Sequence, residues 1–266
     1  MQEINVPQPD LNDPSKLSDK QVLERIESLT AGLMKFWKEV KGWAPDEAAA
    51  LLKGSMLEWQ TSLAVSLKRW PECKTEGDLV LAWTNLGSLA EGALKLVLCA
   101  YLKDYFASSK KSVESKGLKK GKTEAEIEEL KKKINSPDGL MLEPLKVFFA
   151  EHIWSKESEH HKFIEEIQFR RNAIHAFQKK DIGTFEDFKK AIRRHLLLLR
   201  RVNDMLPYPD DIYKPVEKGW FERKVTVTIA MPGENGAPKK PVMTRTVTIR
   251  RAGNFKQEIH TQETKE

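Results

Sequence analysis

Over most of the first two hundred residues, apolar positions recur at alternating intervals of three and four. Leu79, Trp83, Leu86, Ala90, Ala93, Val97 and Tyr101 show the pattern most cleanly, and this spacing lays a stripe along one face of an α-helix. The same period predicts helices over residues 19–41, 46–70, 78–106, 140–154, 158–180 and 184–205. Ser18 with Gln21 forms a capping box, in which each residue satisfies a free backbone N–H of the first turn. Asp46 and Asp78 suit N-caps, while Pro45, Pro71 and Pro207 mark boundaries because proline cannot continue a helix. The expected fold is mainly α, a helical bundle over 19–206.

Three segments depart from that period. Residues 1–18 are rich in Pro, Asp and Asn and read as a loose N-terminal arm. Residues 107–138 are Lys-rich and hold few large apolar side chains; nine lysines face five glutamates over 110–133. Such a composition buries little, so a mobile insertion with one short helix is expected, capped by Thr123 and Glu126. From 207 to 266 the pattern changes again. "KVTVTIAM" (224–231) and "TRTVTIRR" (244–251) alternate apolar and polar residues with period two, which predicts a C-terminal β-hairpin appendage followed by a polar tail. A lone hairpin is marginal in water, so its Val/Ile face calls for a cover, either the bundle or a protein partner.

Composition narrows the function only slightly. The net charge of +6 and pI near 9.1 favour polyanionic partners. Cys73 and Cys99 have no metal-type spacing, and two cysteines in 266 residues fit a reducing compartment. "MQEINVPQPDLNDPSK" lacks the basic start and apolar core of a signal peptide. "LKLVLCAYL" is too short to span a bilayer. A cytoplasmic protein without a membrane segment is the expectation.

Chemistry concentrates in "IQFRRNAIHAF", Ile167 to Phe177. At about 100° per residue from Ile167, Arg170 falls near −60°, Arg171 near +40° and His175 near +80°. All three lie within or beside the apolar half of the helix, while Asn172 points away. A buried guanidinium without a partner is very costly. Either carboxylates and helix ends of the bundle hold these arginines, or the groups line a crevice for a phosphodiester. In the second case arginine grips phosphate bidentately and histidine moves a proton near neutral pH.

Arg170-Arg171-Asn172-Ala173-Ile174-His175 resembles the R-x(4–6)-H motif of the HEPN superfamily of small α-helical proteins. Many of its members are metal-independent ribonucleases. The upstream "NLGSLAEGALKLVLCAYLKDY" is similar to the bundle helix that packs against that motif, and one more amphipathic helix follows it, as in the family. The resemblance covers about residues 20–206 and implies an RNA endonuclease acting in stress response, antiviral defence or a toxin–antitoxin pair. It also implies a homodimer with two motif helices across one cleft, and catalysis by His175 with Arg170 or Arg171 and Asn172. Two alignments stay open. One takes Arg170 as the motif arginine; the other takes Arg171-Asn172, with Arg171 and His175 as i,i+4 neighbours. Phe177 stands where some toxins carry a modifiable tyrosine.

Glu91, between Gly87, Ser88 and Gly92, is a further candidate, either catalytic or simply paired with an arginine. No HExxH surrounds His160 and His161. "GLKKGKT" has its glycines too close together for a phosphate loop. Neither a metal nor a cofactor is expected. The reading from another class is a non-catalytic HEPN-like scaffold that binds RNA, nucleotide or a protein partner, with 224–251 as an assembly element.

Overall fold

The structure, a computed structural model, describes residues 13–39, 44–175, 179–209 and 214–218, together with three strand segments of the C-terminal region. Most of the expected arm, Phe177 and the side chains of the expected hairpin lie outside the described residues. The chain divides into two units, Met1–Lys218 and Gly219–Glu266.

The first unit is a helical bundle, as the periodicity implied. Its helices are α1 (Asp19–Glu39), α2 (Asp46–Gly54), α3 (Leu57–Leu67), α4 (Glu76–Ala100), α5 (Leu102–Lys119), α6 (Glu124–Lys132), α7 (Leu142–His152), α8 (Glu159–Arg171) and α9 (Phe185–Met205). α4 is the hub: it packs against α2, α3, α7, α8 and α9. Trp83, Leu86, Ala90 and Leu94 are fully enclosed along it. Small residues at Ala82, Ala90 and Ala93 let its neighbours come close, and α1 and α9 close the other side of the core.

The capping box at Ser18 and Gln21 forms as expected, and so does the one at Thr123 and Glu126. Two other caps shift. Pro45 rather than Asp46 precedes α2. Thr75 caps α4, with Asp78 as its third-residue partner.

Several expected helices are broken. The span 46–70 splits where the Ser55 hydroxyl and amide both bond the Leu51 carbonyl, closing α2. The span 78–106 ends at Tyr101, whose hydroxyl donates to the Met205 carbonyl at 2.8 Å and ties the corner to the end of α9. Neither break contains a proline, so local patterning gave no warning.

The Lys-rich region also departs from expectation. It forms two helices, α5 and α6, rather than a loop with one short helix. Gly117 lets α6 approach closely: a Cβ there would stand 2.7 Å from Ile127 Cγ1, and Ile127 is buried. Tyr105, also buried, donates to the Asn135 carbonyl at 2.7 Å, and Lys116 pairs with Glu151 of α7 at 2.8 Å. A few well-placed residues therefore order a segment whose average composition is that of a loop.

Packing continues past the expected boundary at 207. Residues 214–218 cross α1 and α9 as a strap. Pro215 fits against Gly32 and accepts from Asn203 Nδ2 at 2.9 Å. The Lys218 amide donates to Ser28 Oγ at 2.7 Å. Glu217, 4% exposed, bonds Arg25 at 2.9 Å and Arg200 at 2.5 and 3.1 Å.

In the second unit, three backbone segments pair antiparallel in the order β1 (Arg223–Ile229), β2 (Met243–Ile249), β3 (Thr261–Thr264). Val225 lies opposite Val247. The last segment falls within the expected polar tail.

Candidate functional site

α8 is capped at Ser158, whose hydroxyl accepts from the His161 amide. It buries Phe163, Ile164 and Ile167 against the bundle. The α-helical register stops at Arg171, and Asn172–His175 form a 3-10 turn. This overturns the continuous helix expected to 180 and changes which side chains share a face. A 3-10 turn advances about 120° per residue instead of 100°. Arg171 and His175 are therefore about 120° apart around the axis rather than about 40°, so they are not i,i+4 neighbours on one helical face. The outcome is visible in burial: Ala173 is buried, while Ile174, seven residues after Ile167 and on its face in a continuous helix, is 42% exposed and His175 is exposed. Asn172, expected to point away, is half-buried at the α8 cap.

The two arginines turn to different neighbours. Arg170 lies over the Trp83 ring, its Cζ 4.7 Å from the centroid. It pairs with Glu166 at 3.1 Å and donates to the Ile182 carbonyl at 3.4 Å. Trp83 Nε1 bonds that same carbonyl at 2.8 Å. Gly183, at φ +66°, makes room for the guanidinium, since a side chain there would collide with it. Glu166 also takes Arg194 at 2.5 Å. Arg170 is thus packed into the junction of α4, α8 and the loop before α9.

Arg171 crosses to α4. Its Nη1 donates to Glu91 Oε2 at 2.9 Å and to the Gly87 carbonyl at 3.5 Å. Lys95, one turn beyond, bonds Glu91 Oε1 at 2.9 Å. The glycines beside Glu91 admit protein side chains: a Cβ on Gly87 would stand 2.6 Å from Arg171 Cδ, and Gln60 lies against Gly92. Ser88 is tied to its own helix through the Thr84 carbonyl. Glu91 is accordingly an arginine-paired carboxylate held between two cations, the plainer of its two readings.

Among the described residues, Arg171 Nε and Nη2 have no hydrogen-bond partner, and neither has the His175 ring. The side chains of Arg171, Glu91 and Lys95 are 21%, 15% and 24% exposed. The arrangement offers a guanidinium fixed on one edge, followed by a tight turn that carries an exposed imidazole four residues on. Such a guanidinium can donate to a pair of phosphate oxygens. The structure brings Arg171 and Glu91 together and separates Arg170 from them. Lys95 was missed in the sequence, although its i,i+4 relation to Glu91 is a local signal. Trp83 beneath Arg170 had no local signal at all.

Among the described residues, no group of three His, Cys, Asp or Glu side chains is arranged for a metal ion, and no helix is long and apolar enough to cross a membrane. Burial pushes the Cys99 thiol up to about 12 and leaves it unreactive as a thiolate. No family profile, curated protein or solved structure matches the chain.

Proposed function

We propose that the protein is an RNA endonuclease of the HEPN type that works without a metal ion. The observation that carries this reading is the half-anchored Arg171 close in sequence to the exposed His175, whose ring has no partner among the described residues. In the proposed reaction the ribose 2′-hydroxyl attacks the adjacent phosphorus. The P–O2′ bond forms, the P–O5′ bond breaks, and a 2′,3′-cyclic phosphate and a 5′-hydroxyl result. His175 takes the 2′ proton and returns a proton to the leaving oxygen. Arg171, steadied by Glu91, stabilises the charge on the pentacoordinate phosphorus. Arg170 and Asn172 are assigned to support of the α8 end.

A homodimer belongs to the same proposal. Phe169 and Ile174, 53% and 42% exposed, flank the motif and supply an apolar rim through which two α8 ends can meet. The β segments 224–251 are proposed as a hairpin that contacts a protein partner, and defence or stress response in the cytoplasm as the setting.

One observation favours the second reading, a non-catalytic RNA- or nucleotide-binding scaffold: each arginine already has a carboxylate from the bundle. Incubation of structured and unstructured RNA with the full chain in EDTA separates the two. Cleavage that leaves cyclic phosphate ends and vanishes in His175→Ala, with folding intact, is the expected result. RNA binding without cleavage would leave the scaffold.

A further inference from the structure

A second group of cations lies along α8 and α9, joined to Arg170 through the Glu166 that Arg170 shares with Arg194. Trp154, in the α7–α8 connection, sits 4.6 Å from Phe149, and the His160 ring lies 5.5 Å from Trp154 at 38°. Trp154 and His160 are each only partly buried, so the end of this aromatic row stays open. Trp154 Nε1 has no acceptor among the described residues. Arg194 and Arg201 stand seven residues apart on α9, about two turns or roughly 10 Å along one side of the helix. Both are close enough to His160 to add to the effect of burial in holding its pKa down.

The two arginines differ in their engagement. Arg194 covers the buried Phe163 ring, with Cζ 4.7 Å from the centroid, and bonds Glu166. Arg201 is exposed and has no ion pair or hydrogen bond with a described residue. Leu197, 44% exposed, lies between them. Of the nearby carboxylates, Glu159 pairs with Lys162 at 2.9 Å and also feels Arg194, while Asp204 has Lys214 at 4.0 Å and also feels Arg201. Arg201, exposed and without a salt bridge to a described residue, thus lies with Arg194 next to an aromatic platform, a pairing of cations and rings that suits unpaired nucleotides.

We propose that this surface is a binding subsite for single-stranded RNA, in which Arg194 and Arg201 hold backbone phosphates and the Trp154–His160 pair stacks a base. A duplex does not fit the same role, because its bases are already stacked on one another. The identity of the polyanion rests on the ribonuclease reading above; the subsite itself requires only binding.

The test uses the full chain carrying His175→Ala, so that the RNA stays intact, with a fluorescein-labelled unstructured RNA decamer, a duplex of equal charge and polyglutamate. Adding Arg201→Ala should weaken decamer binding about tenfold at low salt and reduce the salt slope by about one counterion. Adding His160→Ala should weaken it at every salt concentration, and the partly open His160 avoids the packing loss that Trp154→Ala risks. Quenching of tryptophan fluorescence by the decamer, absent in Trp154→Phe, supports the stacking. Decamer affinity unchanged in both Arg201→Ala and His160→Ala overturns the proposal, as does equal binding of duplex or polyglutamate. If the wild-type chain cleaves no RNA yet Arg201→Ala weakens decamer binding, the ribonuclease reading fails and the subsite stands.

Discussion

Two clusters in this protein share one chemistry, a glutamate held between two cations. Glu217 lies between Arg25 and Arg200, and Glu91 lies between Arg171 and Lys95. Their enclosure differs. Glu217 and Arg25 have side chains only 2% and 7% exposed, whereas Glu91 and Arg171 are at 15% and 21%. The first cluster draws residues from α1, α9 and the strap into the interior. The second sits at the end of α8, where one edge of the guanidinium stays free and an exposed histidine follows. An ion pair by itself says little about role; how much of each cation remains available says more.

The largest expected effect lies in the closed cluster. Glu217→Ala leaves two arginines facing each other with their shared carboxylate gone, and removing one partner of a buried pair costs about 3–5 kcal/mol. Denaturant unfolding should show that loss, with the strap newly open to protease. A loss below about 1 kcal/mol, the range of surface pairs, would place the two clusters in one class.

A third buried group, His195, extends the comparison to a polar side chain with no partner. It is 0% exposed, neither ring nitrogen has a hydrogen-bond partner among the described residues, and burial lowers its pKa to about 3. In the unfolded chain its pKa is about 6.5. Below that value the unfolded state takes up a proton that the folded state refuses. The contribution of neutral His195 is thus fully present above pH 6.5 and lost as the pH falls toward 3, by up to about 1.4 kcal/mol per pH unit. His195→Leu should flatten the stability profile between pH 6 and 5. A slope equal to that of the parent would mean the ring is solvated.

Glu91→Ala should fall between the two extremes, at about 1–2 kcal/mol, because its partners keep part of their hydration. RNA cleavage should suffer more than stability does, as Arg171 loses its anchor. Cleavage that survives intact would demote Arg171 from the proposed mechanism. The smallest stability effect belongs to His175→Ala, within about 0.5 kcal/mol because the residue is exposed and has no partner among the described residues. If instead it destabilises strongly, His175 is structural and the contrast between the clusters collapses.

Legibility in the sequence followed the range of the interactions. The capping boxes at Ser18 and Thr123 and the α4 stripe from Leu79 to Val97 involve residues three or four apart and appear where the pattern places them. Tyr101, the last of the stripe, instead caps α4 and is exposed. At the end of α8 the apolar period continues through Ile174 and Phe177 and so predicts more helix. The chain instead tightens into a 3-10 turn after Arg171 and buries Ala173 in place of Ile174. The α5–α6 pair is not legible from composition because its packing depends on Gly117 meeting Ile127, ten residues later and across a turn.

The amino-acid sequence by itself determined the helical class, most helix starts and the clustering of Arg170, Arg171, Asn172 and His175 on one segment, since helix periodicity and capping are decided within a turn or two. Only the tertiary structure decided that Arg171 meets Glu91 eighty residues away, that Arg170 lies on Trp83, and that Glu217 closes on Arg25 across a separation of 192 residues. Periodicity says which face of a helix is apolar. It does not say which helix arrives to cover that face, and a charge near the apolar stripe acquires its role only from the group that arrives with it.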